Sequence, residues 1–341
     1  MAFEQIENIL RTLCKAEGTS GCENKISEVA AQMLGKYMSV KTDALGNILG
    51  NTGEGYTVML DAHMDQIGLV VTTVDEDGFL KVAKTGGSDL RVMTAAQVTV
   101  HGEKDIYGVI TSTPPHLQKK ESDGKADKID DISVDIGLKH DEAVKIVKPG
   151  DRITFRGPFD KLLGNRVASP CIDDRAGMAV ILRCLEMLED KKTCCICVMF
   201  SVQEETGGSG AMTGAFAIQP DEALACDVTF ASAPGVSGEK YPQLGCGPLV
   251  GYSPVLDRQI SVRLTCLAKE KNIPSKEEVM GSRTGTNCDK IQVSGKGIRT
   301  ALLSVPIRNM HTAAEVADLE DIENTARLMA EYILERSAEN A

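Results

Sequence analysis

The sequence contains no tryptophan, and aromatic residues make up only 4 % of it. Stacking platforms for bases or sugars are therefore poorly supported. Basic residues are outnumbered, with 37 Lys and Arg against 49 Asp and Glu, for a net charge of −12. A general nucleic-acid binder needs a basic surface, so no nucleic-acid partner is expected. No apolar run reaches the roughly 18 residues that a membrane span requires. The opening residues, Met1 to Glu7, lack the basic start and apolar centre of a secretory signal. The 11 cysteines are odd in number and scattered, with no pairs at zinc-finger spacing. Reduced thiols in a cytoplasmic protein without a membrane partner are the expectation.

What is present suits a large core. The chain has 341 residues, 42 % hydrophobic and 25 % charged. That is an ordinary soluble composition, but too long for one simple core. Residues 3–38 carry helical apolar spacing (Phe3, Ile6, Leu10, then Ile26, Val29, Met33), broken at Gly18 to Gly21. A hairpin turning at Asp43 and Gly46-Asn47 follows, and then a strand over 56–60. From about 72 to 160, short alternating runs are punctuated by Gly and Pro, as in a small β domain. The charged stretch Lys119 to Asp131 reads as an exposed loop within it. Helices and strands alternate again afterwards. Helices are predicted over 174–188, up to 218, and over 258–272, 286–293 and 319–336. Strands are predicted over 194–205, 222–230, 249–253, 277–279 and 300–305. The fold class is α/β, a parallel or mixed sheet covered by helices on both faces and split by an inserted β domain.

Acids and histidines recur at the predicted strand ends. Glu204 and Glu205 close the apolar run from Cys194 to Val202, and glycines follow at 207, 208 and 210. At the carboxyl end of a sheet strand, two adjacent carboxylates can divide between holding a metal and moving protons. Taken alone, the pair also fits a solvated acidic turn. His63 and Asp65 lie beyond the strand ending at Leu60, where a nearby acid can hold an imidazole in one tautomer. Asp173-Asp174-Arg175 precedes a helix, so capping competes with ligation there. Asp227 interrupts an apolar strand and would be costly to bury unpaired. His311, one of only five histidines, follows the strand ending at Val305. Two histidines and three carboxylates suit a pair of divalent ions, with one carboxylate between them. Glu204 is then left over as a general base.

A resemblance makes this pattern specific. Its carriers are Gly18-Thr19-Ser20-Gly21, Asp61-Ala62-His63-Met64-Asp65-Gln66-Ile67-Gly68, Gly86-Gly87-Ser88-Asp89 and Thr113-Pro114-Pro115-His116. Further along come Gly164-Asn165-Arg166, Asp173 to Gly177, Val202 to Glu205 with Gly210-Ala211, and Cys226 to Thr229. Thr284-Gly285-Thr286 and Pro306-Ile307-Arg308 with His311 complete the order. In these residues, over nearly its whole length, the chain resembles the tetrahedral (TET) type metallo-aminopeptidases, which include glutamyl aminopeptidases and relatives once labelled endoglucanases. The resemblance implies a co-catalytic zinc exopeptidase-like catalytic domain over 1–71 and 163–341. It implies a small β-barrel, PDZ-like dimerisation domain over 72–162. Position by position, it implies metal ligands at His63, Asp173, Glu205, Asp227 and His311, with Asp173 bridging. Glu204 is the implied base for a water held between the ions, and Asp65 is implied to orient His63. Two divalent ions per subunit are implied, zinc first, with cobalt or manganese able to replace it. Short peptides are the implied substrates, and a homododecamer built from dimers is the implied assembly.

The chain departs from that pattern at Gln66, where an acid is common. It also has Pro170-Cys171 in place of Lys-Ala, and Asn287 in place of Asp. These departures bear on substrate preference and metal affinity, and leave the ligand set and the base in place. Other readings stay open on the residues alone: a metal-dependent amidase or deacylase on the same scaffold, or a non-catalytic peptide-binding shell. A glycoside hydrolase fits worse, because a sugar platform wants aromatics.

Overall fold

The computed structural model describes residues 3–112, 128–191, 193–238 and 240–340. Thr113 to His116 and most of the charged stretch 119–131 lie outside the described residues.

Two helices open the chain, α1 (Glu4–Cys14) and α2 (Asn24–Leu34). On α1, Ile6, Leu10 and Leu13 recur at helical spacing and are all fully buried. The hairpin β1 (Ser39–Thr42) and β2 (Ile48–Asn51) is closed by Asp43, whose Oδ1 accepts the amides of Leu45, Gly46 and Asn47. Strand β3 (Thr57–His63) follows and runs past the expected end at Leu60, so that His63 is its last residue.

Next comes a closed barrel of β4 (Gly68–Val74), β5 (Leu80–Thr85), β6 (Gln97–His101), β7 (Asp105–Ile110), β8 (Ser133–Asp135) and β9 (Arg152–Phe155). A short helix, α3 (His140–Ile146), precedes β9; the sequence reading did not anticipate it. Alternate barrel residues such as Leu69, Val71, Val98, Val100 and Ile153 form a core of their own. The barrel strands span Gly68 to Phe155, beginning somewhat ahead of the change in sequence texture near 72.

The remaining elements return to the main body. They are β10 (Asp160–Lys161), β11 (Arg166–Ser169), α4 (Ile172–Leu188), β12 (Cys195–Ser201), α5 (Ser209–Ile218), β13 (Glu222–Phe230) and β14 (Leu249–Tyr252). After them come α6 (Arg258–Glu270), β15 (Lys276–Val279), α7 (Cys288–Ile291), β16 (Arg299–Arg308), β17 (Glu315–Asp318) and α8 (Leu319–Glu339). Among the described residues the large sheet has eleven strands, in the order β1-β2-β12-β3-β13-β16-β17-β11-β10 with β14 and β15 branching from β16. Strands β12, β3, β13 and β16 are parallel, so their carboxyl ends share one edge.

Side-chain alternation sorts the sheet's two faces. Val58, Leu60, Val198 and Leu303 pack under α1, α2, α4, α6 and α8, whereas Met59, Met199, Ala225 and Leu302 pack under α5 and α7. Each such apolar side chain contributes about 1.5–3 kcal/mol on burial, and Val198→Asp on the central β12 would break this layer. Helix α4 differs from the one-sided helix predicted at 174–188: Ile172 to Leu182 are all buried, because it lies between the sheet and the outer helices α1 and α8. Strand β16 also runs beyond the expected end at Val305, through Pro306. The ring at Pro306 is tolerated because β14 pairs only at Leu303 and Ser304, and β17 only at Ile307 and Arg308. Short β10, β11 and β17 were not foreseen; their runs are too brief to show a period. No helix among the described residues is long and apolar enough to cross a membrane.

Candidate functional site

The parallel edge brings five sequence-predicted residues together. His63 ends β3, Asp227 lies on β13, Glu205 follows β12 and His311 follows β16. Asp173 stands at the start of α4, with backbone angles that are not yet helical. The two acids there divide their work: Asp174 caps the helix by accepting the Gly177 amide at 2.8 Å, and Asp173 faces the histidines.

Glu204 and Glu205 are not strand residues. Strand β12 stops at Ser201, and Gln203 turns the chain with a φ of 61°. The carboxylate of Asp65 shapes that turn, accepting the Glu204 amide at 2.9 Å and the Glu205 amide at 3.1 Å. Ser20, in the Gly18 to Gly21 break, also donates its hydroxyl to Asp65.

Ligand-capable atoms gather in two groups that share one residue. His63, Asp173 and Asp227 form one, and Asp173, Glu205 and His311 the other, with the atoms of each group within 4.8 Å of one another. Asp173 Oδ1 lies 3.1 Å from His63 Nε2, and its Oδ2 lies 3.2 Å from His311 Nε2. Asp227 Oδ1 is 3.9 Å from His63 Nε2, and Glu205 Oε1 is 3.5 Å from His311 Nε2.

Main-chain carbonyls fix both imidazoles. His63 Nδ1 meets the Asp65 carbonyl at 3.0 Å, and His311 Nδ1 meets the Gly87 carbonyl at 3.3 Å. A carbonyl only accepts, so each Nδ1 carries a hydrogen and each Nε2 is left facing the carboxylates, able to hold either a proton or a metal ion. Between each Nε2 and its carboxylates there is a place for one cation, a proton or a divalent ion in its stead, so the donor set fits bound metal. Gly87 belongs to the barrel's β5–β6 connection, and a Cβ there would come within 2.6 Å of His311 Nδ1. The barrel thus reaches the site through a glycine.

The electrostatics point the same way. Burial drives the Glu205 and Asp227 carboxyls well above the ordinary carboxylate range, and neighbouring acids add to the effect. Burial also raises Glu204, helped by the nearby Asp65 and Asp173 carboxylates and opposed by His63. Burial presses down on the His63 imidazolium, but the carboxylates of Asp173 and Asp65 outweigh it and lift the group well above its usual value. Asp173 raises His311 as well. Burial would raise Asp173, yet the two imidazoles hold it well below the carboxylate range. So much negative charge in so little water favours any cation that enters.

Glu315 was missed by the sequence reading. It is 1 % exposed and accepts the Asp173 amide at 2.9 Å and the His311 amide at 2.8 Å, tying two of the gathered residues to one side chain. An acid four residues after His311 was the available signal, but nothing local marked it as buried. Asp61 is the second omission: it is fully buried, with Oδ2 accepting from Asn287 Nδ2 at 2.9 Å, and burial pushes it up to about 7. Asn287 also donates from Nδ2 to Ser201 Oγ at 2.8 Å, so its amide links β3 to the end of β12. Gln66 accepts from the buried Arg175 at 3.4 Å as a neutral partner. Cys171 takes a left-handed turn (φ 59°) and directs its thiol at the Cys14 carbonyl.

With this geometry in place, residues 46–328 match the family described as M42 glutamyl aminopeptidase. The chain belongs to that family. It is an aminopeptidase on the α/β sheet and barrel described above. It is 35 % identical over 337 residues to the lysyl aminopeptidase of Pyrococcus furiosus, covering 96 % of each chain. An aminopeptidase structure from the archaeon Desulfurococcus kamchatkensis superposes with a TM-score of 0.93 at 31 % identity, covering 99 % of this chain and 97 % of that one. The TET1 peptidase of Pyrococcus horikoshii, which can assemble into a tetrahedron or a large octahedral shell, matches with a TM-score of 0.85 at 30 % identity, covering 96 % and 99 %.

Proposed function

We propose that this aminopeptidase releases single residues from the N-termini of short peptides at a centre of two divalent cations. The observation that carries the reading is the pair of Asp173 oxygens, one facing each histidine at 3.1 and 3.2 Å. On this reading Asp173 is shared between two metal sites. His63 and Asp227 complete one, and Glu205 and His311 the other. Mixed nitrogen and oxygen ligands suit zinc, and cobalt or manganese can replace it. Bound cations would supply Lewis-acid polarisation of the scissile carbonyl and make water more acidic.

The protein's own groups do the rest. Glu204 is half-buried beside the cluster and lines the same cavity. It takes a proton from the attacking water and returns it to the leaving amine. Burial raises its pKa, which suits a group that must both accept and give a proton near neutrality. Asp65 positions Glu204 and Glu205 through their amides and His63 through its own carbonyl. Glu315 holds the backbones of Asp173 and His311.

The assembling TET1 relatives support self-association; on this reading the assembly is a dodecamer built from dimers, with the barrel (72–162 by sequence texture) as the dimerisation domain and a hollow interior that admits peptides. Light scattering reads that mass directly. Eleven free cysteines suit the reducing cytoplasm. The deciding experiment crosses zinc, cobalt and manganese, added to chelator-stripped protein, with aminoacyl amides and their N-acylated counterparts. Cation-restored cleavage of the free-amine series alone is expected. Equal cleavage of N-acylated substrates would make the protein a deacylase or amidase instead.

A further inference from the structure

Two cavities flank Glu204, and their chemistry differs. One, of about 530 Å³, is lined by all five gathered residues together with Thr229, Glu278 and Met280. The other, of about 410 Å³, touches Glu204 but none of those five, and carries Arg283 and Lys290. The N-terminal residue of a peptide presents both its amine and the scissile carbonyl to the reacting centre, so its side chain belongs in the first cavity. Glu204 hands its proton to the leaving amine, so the rest of the peptide departs past Glu204 through the second.

Within the first cavity Glu278 stands out. It lies on the short strand β15, half-buried between exposed neighbours. Thr229 donates its hydroxyl to Glu278 Oε1 at 2.5 Å. Thr229 is two residues after Asp227 on β13, so both point to the same face of the strand. Glu278 is thereby held on the side of the site, with its other oxygen uncommitted. Among the described residues no lysine, arginine or histidine pairs with it. An unpaired carboxylate, partly withdrawn from water and beside Met280, matches a side chain with an apolar stem and a cationic tip.

Resting on the proposed reading of the site, we infer that Glu278 sets specificity for peptides whose N-terminal residue is basic, lysine or arginine.

The test compares kcat/KM of the metal-loaded enzyme on lysyl, leucyl and glutamyl amides, for the wild type, Glu278→Gln, Glu278→Asp and Glu278→Lys. The wild type should favour lysyl over leucyl by about tenfold or more, the size of a charge-assisted hydrogen bond. Glu278→Gln should lose that preference mainly through a raised KM for the lysyl amide, with kcat/KM on the leucyl amide changing far less, since the residue does not touch the reacting atoms. Glu278→Asp should restore part of it, and Glu278→Lys should shift the preference toward glutamyl. A wild type that prefers leucyl or glutamyl substrates, or a Glu278→Gln variant slowed equally on all three, overturns the inference alone. Failure of the loaded wild type on every free-amine substrate overturns the reading beneath it as well.

Discussion

Asp65 binds the two acids of the 204–205 pair through their backbones, accepting the Glu204 amide at 2.9 Å on one oxygen and the Glu205 amide at 3.1 Å on the other. Its link to His63 runs chiefly through its main-chain carbonyl at 3.0 Å, with the nearer carboxylate oxygen at 3.5 Å. Asp65→Asn keeps that carbonyl but sets an NH2 group against an amide donor. The variant should retain most of its metal while kcat falls by roughly tenfold to 100-fold. If metal content and turnover fall together, Asp65 acts mainly on His63.

On the proposed function, Glu204→Gln removes the proton acceptor without changing shape. Metal content by elemental analysis should match the wild type, and kcat should drop by about 100-fold to 10,000-fold. Near-normal turnover would remove Glu204 from the base role.

On the proposed function, Asp173→Asn and Asp227→Asn should weaken the two cation sites directly. A ligand that binds only the folded state raises its stability, so the wild type should gain thermal stability when zinc is added to stripped protein. Both variants should gain less and hold less metal after gel filtration, with Asp173→Asn the worse because it faces both histidines. A full zinc-dependent gain in Asp173→Asn would contradict its shared position.

Asp321 gives a pH prediction away from the site. It is fully buried at the start of α8 and accepts the Gly245 and Gly247 amides at 2.7 and 2.6 Å, yet burial pushes it up to about 7. A carboxyl raised above its unfolded value binds more protons when folded, so its contribution is present at acid pH and lost as pH rises from about 4 to 7. The slope is at most about 1.4 kcal/mol per pH unit in that window. Urea unfolding of Asp321→Asn should therefore show the variant gaining on the wild type between pH 4 and 7, with no further change above. A stability difference that stays constant with pH would rule this out.

Periodic stretches were legible because their apolar residues repeat. The spacing of Ile6 and Leu10, the run from Cys194 to Val202 and the whole of Glu222–Phe230 identified α1, β12 and β13. Elements without such a signal were not. Four-residue β17 and two-residue β10 show no period, and the helical face expected on α4 dissolved because other elements bury it on every side. Asp227 was conspicuous as an acid inside an apolar strand, whereas Glu315, equally buried, sits in a run that reads as ordinary loop. Burial from distant chain segments leaves no local mark.

The sequence by itself determined the composition of the site: two histidines, the acids at 65, 173, 204, 205 and 227, and the apolar strands that deliver them to one edge. It did so because residue type sets which groups can ligate or carry protons, and apolar period sets which segments become strands. Only the tertiary structure decided which contacts hold those groups in place. Asp173 turns an oxygen to each histidine, Asp65 holds the 204–205 turn by its amides, and Glu278 is pinned beside Asp227 by Thr229. Each of these relations joins residues far apart in the chain, and hydrogen bonding at 2.5–3.2 Å depends on how the strands stack, which no local spacing encodes.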